Sequence, residues 1–179
     1  MAEIREARPE DVEGIQTVFY QTWLATYPNE EAGITREDIE YRWKDAFSEE
    51  RLAKRRDELE DPASEPIFVA LEDKKVVGIC RVESGAEANR IAAIYVLPEY
   101  QGVGIGKSLF SAADEYLGGE KDMLVGVATY NANAIAFYTK MGFADTGRRF
   151  TEERHRMKSG VNIPQMEMIR RRTKNKVTQ

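Results

Sequence analysis

Residues 101–107, Gln-Gly-Val-Gly-Ile-Gly-Lys, set three glycines between an apolar run at 91–96 and a segment of helical periodicity at 107–117. Glycine lets successive backbone N–H groups turn toward one point with no Cβ in the way. The helix that follows adds unpaired N–H groups and the positive end of its dipole. Such a turn suits an anion, above all a phosphate or pyrophosphate. Two familiar spacings are absent. A Walker A loop needs glycine five residues before Gly106 in Gly106-Lys107-Ser108, and position 101 is glutamine. A dinucleotide-binding G-x-G-x-x-G counted from Gly102 meets Lys107, and counted from Gly104 meets Leu109. Neither ATP nor NAD is supported.

Other chemistries lack their residues. The single cysteine, Cys80, sits in the apolar run 76–80 and reads as a small core residue. It excludes an internal disulfide and a cysteine metal cluster. The single histidine, His155, lies among Glu152, Glu153, Arg154 and Arg156 in what reads as a solvated stretch. A Ser-His-Asp hydrolase would have to use that one imidazole, and a His/Cys zinc site has too few ligands. No metal is expected.

Gln101, Gly104 and Gly106 do fit Gln-x-x-Gly-x-Gly, following a strand that ends Tyr95-Val96-Leu97-Pro98. This resembles the acetyl-CoA pyrophosphate loop of the GNAT superfamily of N-acetyltransferases. Residues 131–143, Asn-Ala-Asn-Ala-Ile-Ala-Phe-Tyr-Thr-Lys-Met-Gly-Phe, are similar to a second block of that family, Asn-x-x-Ala-x-x-Phe-Tyr-x-x-x-Gly-Phe. One helix and one strand join the two, in the order the family has.

The resemblance implies acetyl-CoA as co-substrate and a set of roles. The pyrophosphate would rest on the backbone of Gly102, Val103, Gly104, Ile105, Gly106 and Lys107, with Gln101 leading the loop and Val103 and Ile105 apolar outward of the site. Ile94, Tyr95 and Val96 would pair backbone groups with the pantetheine amides. The Ile94 N–H would polarise the acetyl carbonyl, a type of stabilisation worth about 10²–10³ in rate. Tyr138 would protonate the departing thiolate. Asn131 and Asn133 would meet the cofactor, with Asn131 also placed to cap a helix. The activity implied is acetyl transfer to a primary amine, by direct attack in a ternary complex. The acceptor classes are a small amine, a polyamine or a peptide amino group. A non-catalytic acetyl-CoA sensor on the same fold is the alternative.

An amine must lose a proton before it attacks. Many members of the family use a glutamate on the strand before the loop, and here that register holds Arg90. Glu83 and Glu87 are the nearby carboxylates, with Glu83 the candidate base. Water relays or a neutral acceptor are alternatives. On the acceptor side, Trp23, Tyr27, Tyr41 and Trp43 are candidates for an apolar wall or for the core. Glu30, Glu31, Glu37 and Asp38 are candidates to draw a cationic amine.

The elements that must position these residues follow from the pattern. Pro9, Glu10 and Asp11 open a helix whose apolar residues are Val12, Ile15, Val18, Phe19 and Trp23, ended by Pro28. Thr35-Arg36-Glu37-Asp38 resembles a capping box ahead of Ile39, Trp43, Ala46 and Phe47. Ser48 caps a polar helix through Leu52 and Leu59. Residues 67–71 and 76–82 form a hairpin around the turn 72–75, and 91–96 is a third strand. A helix at 107–117, a strand at 123–129, and a helix at 131–141 closed by Gly142 come next. Residues 146–152 and 163–169 are two last strands.

This order predicts an α/β fold: one domain over residues 1–179, a mixed, mostly antiparallel sheet flanked by helices, its central strands splayed into an acetyl-CoA cleft as the resemblance implies. Residues 170–179 read as a flexible basic tail. The 179 residues are 42% hydrophobic and 32% charged, the composition of a globular domain. Lys plus Arg is 26 and Asp plus Glu is 31, a net charge of −5, which argues against nucleic acid as a partner. No apolar run is long enough to span a membrane and the start has no secretory signal, so the expected location is cytoplasmic. The exposed final strands offer an edge for pairing into a homodimer.

Overall fold

The computed structural model describes residues 2–172. Seven strands form one sheet: β1 (Glu3–Glu6), β2 (Ile67–Glu72), β3 (Lys75–Glu83), β4 (Ala88–Val96), β5 (Asp122–Ala128), β6 (Ala144–Phe150) and β7 (Gln165–Arg170). Their spatial order is β1-β2-β3-β4-β5-β7-β6. Every neighbouring pair is antiparallel except β4 and β5. Five helices flank it: α1 (Val12–Thr26), α2 (Arg36–Arg42), α3 (Glu49–Glu60), α4 (Ile105–Leu117) and α5 (Ala132–Lys140).

The apolar periodicity of α1 delivers Ile15, Val18, Phe19 and Trp23 to the core, and Phe19 meets Tyr95 of β4 edge-on at 5.6 Å. α4 and α5 cover the other face. There Leu109 approaches Gly78 of β3, where a Cβ would lie 3.1 Å from its methyl, and Phe110 meets Phe143 edge-on at 5.9 Å.

The parallel pair is short. Ala88, Asn89, Arg90 and Ile91 lie opposite Asp122, Met123, Leu124 and Val125, and the pairing stops there. On the other side of β4, Arg81 pairs with Ala93 and Val82 with Ile91, so Ala92 is an extra residue. A bulge bends its strand and strengthens the local twist. It sits where β4 leaves β5. Residues 92–96 therefore run through the middle of the sheet with no partner on the β5 side. Their half-exposed state, next to a fully buried stretch of β3, marks that gap.

Three expectations change. β1 was not foreseen: Ile4 among charged residues gives no alternating pattern, and the strand exists because Glu3–Glu6 pairs along β2. The capping box is real, with Thr35 Oγ1 accepting from the Asp38 N–H at 3.1 Å. But α2 stops at Arg42, and Trp43, Ala46 and Phe47 lie in the turns after it. The basic tail does not begin at Arg170. That residue belongs to β7, its guanidinium bonded to Asp114 and stacked 5.0 Å over Phe110. Arg171 and Arg172 bind Asp122. The rest of that expected tail, residues 173–179, lies outside the described residues. No described helix is long and apolar enough to cross a membrane.

Candidate active site

The gap edge of β4 has a defined polarity. Leu97 donates its N–H to the Val77 carbonyl at 2.9 Å, toward β3. Peptide groups alternate sides along a strand. Tyr95, opposite Ile79, therefore also turns its peptide groups to β3, while those of Ile94 and Val96 point into the gap. An extended chain carrying amides can pair with that edge as a strand would. Of residues 94–96, Ile94 and Val96 offer backbone to the gap. Tyr95 offers its ring, on the α1 face.

The turn below the gap is built as an anion cradle. Gly102 has φ 80° and Gly104 φ 95°, and a Cβ at either would meet nothing within 4 Å. Glycine is required here by left-handed backbone rather than by crowding. Gly104 caps α4, and Ser108 N–H makes the first helical bond to its carbonyl at 3.1 Å. The N–H groups of Ile105, Gly106 and Lys107 are left without intrahelical acceptors, and no acidic side chain occupies that first turn. Gly106 has a packing role: a Cβ would lie 3.4 Å from the Phe137 ring of α5. Gln101 is a brace, its Nε2 donating to the Val96 carbonyl at 2.8 Å. Val103 is 74% exposed as expected. Ile105 is not outward. It is 5% exposed and belongs to the core, because the first turn of α4 lays that position on the sheet.

On α5, Asn131 Oδ1 accepts the Ala134 N–H at 3.0 Å, so this side chain is the N-cap. Asn133 is exposed on the first turn. Tyr138 is 5% exposed, its ring edge-on to Phe137 at 5.1 Å and to Phe143 at 5.4 Å. Burial pushes its phenol well above the ordinary value, with Cys80 and Tyr95 adding to the rise. The hydroxyl stays protonated through the neutral range, and it makes no hydrogen bond among the described residues. A neutral donor with no partner is what a proton donor to a leaving group requires. Cys80 on β3 is buried and its thiol is pushed up to about 12, so it remains a thiol.

Glu83 ends β3 opposite Arg90, four residues before Ile94 along β4. At the rise of a strand that is about 13 Å, beyond the direct reach of a carboxylate. Water must bridge it to the gap.

The α1 face of the gap carries aromatic hydroxyls that the sequence did not flag. Tyr95 and Tyr27 bring their hydroxyls to 2.9 Å, and Tyr130 donates to the Tyr27 carbonyl at 2.9 Å. Burial raises all three phenols, that of Tyr130 to about 12. Trp23 lies against Tyr27 and Trp43. Tyr41 does not join this wall; it is exposed, with Lys44 and Lys158 over its ring. Asp38 is not available to an amine either, since it is buried and holds the Thr35 and Ser159 N–H groups. Glu30, Glu31 and Glu37 stay exposed. His155 is not solvated as the charged sequence around it suggested. Its ring packs edge-on to Trp23 at 5.6 Å, and burial, with Arg42 and Arg154 nearby, lowers it to about 4 against the pull of Glu152. It is neutral at neutral pH.

Known proteins match this arrangement. The sequence fits the model of the acetyltransferase (GNAT) family over residues 20–143. It is 27% identical over 144 residues to the spermidine N(1)-acetyltransferase of Thermoplasma acidophilum, covering 79% of this chain and 87% of the relative. Among solved structures, the PaiA N-acetyltransferase of Thermoplasma acidophilum in complex with coenzyme A superposes with a TM-score of 0.71 at 23% identity, covering 96% of this chain and 99% of the other. The YncA acetyltransferase of Salmonella typhimurium, solved with acetyl-CoA, gives 0.63 at 19% identity over 100% and 98% of the two chains. The fold is thus shared over nearly the whole length. With the family match spanning most of the sequence and the gap and glycine turn in place, the chain belongs to the acetyltransferase (GNAT) family.

Proposed function

We propose that the protein transfers the acetyl group of acetyl-CoA to a primary amine by direct attack within a ternary complex. The unpaired edge of β4, from Ala92 to Val96 with the glycine turn at its end, carries this reading. The cofactor's pyrophosphate rests on the N–H groups of residues 102–107 at the start of α4. Its pantetheine amides pair with Ile94 and Val96, alongside Asn131 and Asn133 at the start of α5. The amine nitrogen attacks the thioester carbon from the α1 face. The Ile94 N–H receives the developing negative charge on the carbonyl oxygen. The C–S bond breaks with its electron pair going to sulfur, and the Tyr138 phenol gives that sulfur a proton. The proton lost by the amine leaves through water toward Glu83.

The named activity of the Thermoplasma acidophilum relative supports an amine acceptor. Thiol release from acetyl-CoA across a panel of primary amines tests the reading. Amine-dependent release is expected. Tight binding of acetyl-CoA with no release for any amine would overturn it in favour of a cofactor sensor.

A further inference from the structure

The α1 face of the gap is walled by hydrogen-bond donors with little to donate to. The Trp23 N–H is buried and completes no hydrogen bond, and the Trp43 N–H beside it is in the same state. Buried donors are nearly always satisfied, so two together point to a missing acceptor. Arg42, the last residue of α2, stacks 4.9 Å over the Trp23 ring and donates only to the Arg154 carbonyl. Arg81 lies on β3 opposite Ala93, one residue along from the unpaired edge. Among the described residues neither guanidinium has a carboxylate within 4 Å.

The charge around them is uneven. Desolvation, with Arg51 and Arg154 close by, lowers the Arg42 pKa, as expected where cations crowd without counter-charge. Glu152 is taken by Arg154 and Glu58 by Arg55. Both Arg42 and Arg81 act on the Tyr95 hydroxyl, which stands at the gap. In a chain of net charge −5 this is a local surplus of positive donors. It would repel the second ammonium of a polyamine.

We infer that the acceptor is an amino carboxylate, whose carboxylate is received by Arg42 and Arg81 with the Trp23 N–H while its amine reaches the thioester. The inference rests on the amine-acetylation reading above and narrows its substrate. Arginine suits the task, because its planar fork matches both carboxylate oxygens.

The test compares α-amino acids, short ω-amino acids and dipeptides, each with its own carboxamide, and spermidine beside them. The preferred acid is expected to exceed its amide in kcat/KM by about 10-fold to 100-fold, the range of a charge-assisted pair. Arg42→Gln and Arg81→Gln should each erase most of that ratio while leaving the KM for acetyl-CoA unchanged. Equal rates for acid and amide, or spermidine as the best acceptor, would overturn the inference and leave the acetyl-transfer reading standing. If no amine is acetylated, calorimetry with the same acids and amides on the CoA-loaded protein decides it. Selective binding of the acids supports the carboxylate site even as the transfer reading fails, and equal or absent binding refutes both.

Discussion

Gln101 and Val96 close the lower end of the gap: the Gln101 amide donates to the Val96 carbonyl at 2.8 Å, tying the glycine turn to the strand edge above it. Of the carbonyls directed into the gap, this one is already taken. Pairing with an incoming amide chain then falls to both groups of Ile94 and to the Val96 N–H. Gln101→Ala should unfasten the turn. A lost hydrogen bond of this kind is worth about 0.5–1.5 kcal/mol, so the KM for acetyl-CoA should rise about 2-fold to 10-fold with the melting temperature nearly unchanged. Steady-state kinetics and a thermal melt check both.

Gly104 separates charge from backbone strain. Its φ of 95° disfavours any side chain, yet a Cβ would touch nothing within 4 Å. Gly104→Asn and Gly104→Asp carry nearly the same strain, and both residues tolerate left-handed backbone better than most. Only the aspartate sets a negative charge against a bound pyrophosphate. Acetyl-CoA affinity measured by calorimetry should fall a few-fold for asparagine and about 100-fold or more for aspartate.

Much of this was legible in the sequence because local rules and tertiary demands agree. The glycine spacing at 102–106, the Asn131 cap and the Thr35–Asp38 box each rest on a side chain or backbone need confined to a few residues. What stayed hidden depends on distant partners. β1 exists through β2. The inward turn of Ile105 depends on how α4 meets the sheet. The buried state of His155 depends on Trp23, far away in the chain, and no local pattern records it. The bulge at Ala92, which opens the gap, is a mismatch between two strands and leaves no mark in either one alone.

Asp38 links the cap of α2 to the segment after Arg156. Burial works to raise its pKa, but the N–H groups of Thr35 and Ser159 outweigh that and bring it down to about 2. A folded-state pKa below the unfolded value means stabilisation that is full above about 4 and is lost as pH falls toward 2. Asp38→Asn should therefore cost about 1–2 kcal/mol at pH 7. The gap between variant and parent should narrow in urea titrations as pH drops through that window.

Tyr138→Phe removes a hydroxyl that holds no partner among the described residues, so stability should change little. If that phenol protonates the thiolate, kcat should fall about 10²–10⁴-fold with acetyl-CoA binding barely altered. Since burial keeps the phenol protonated well past its ordinary value, the parent kcat should show no alkaline fall from this group below about pH 10. A phenylalanine variant as fast as the parent when chemistry is rate-limiting would return Tyr138 to a packing role.

Glu83→Gln tests the water-borne proton path. Because the register sets Glu83 beyond direct reach of Ile94, the loss should be modest, about 10-fold in kcat, and confined to the ionisation of the amine. A pH–rate profile identical to the parent would remove Glu83 from the path.

The central claim is that amine and acetyl-CoA meet in one gap and react directly. Initial rates measured with both substrates varied, with the acetylated amine identified by mass spectrometry, test it most directly. Intersecting double-reciprocal lines and CoA released only when amine is present are predicted. Parallel lines, or an acetylated enzyme formed from acetyl-CoA alone, would contradict it.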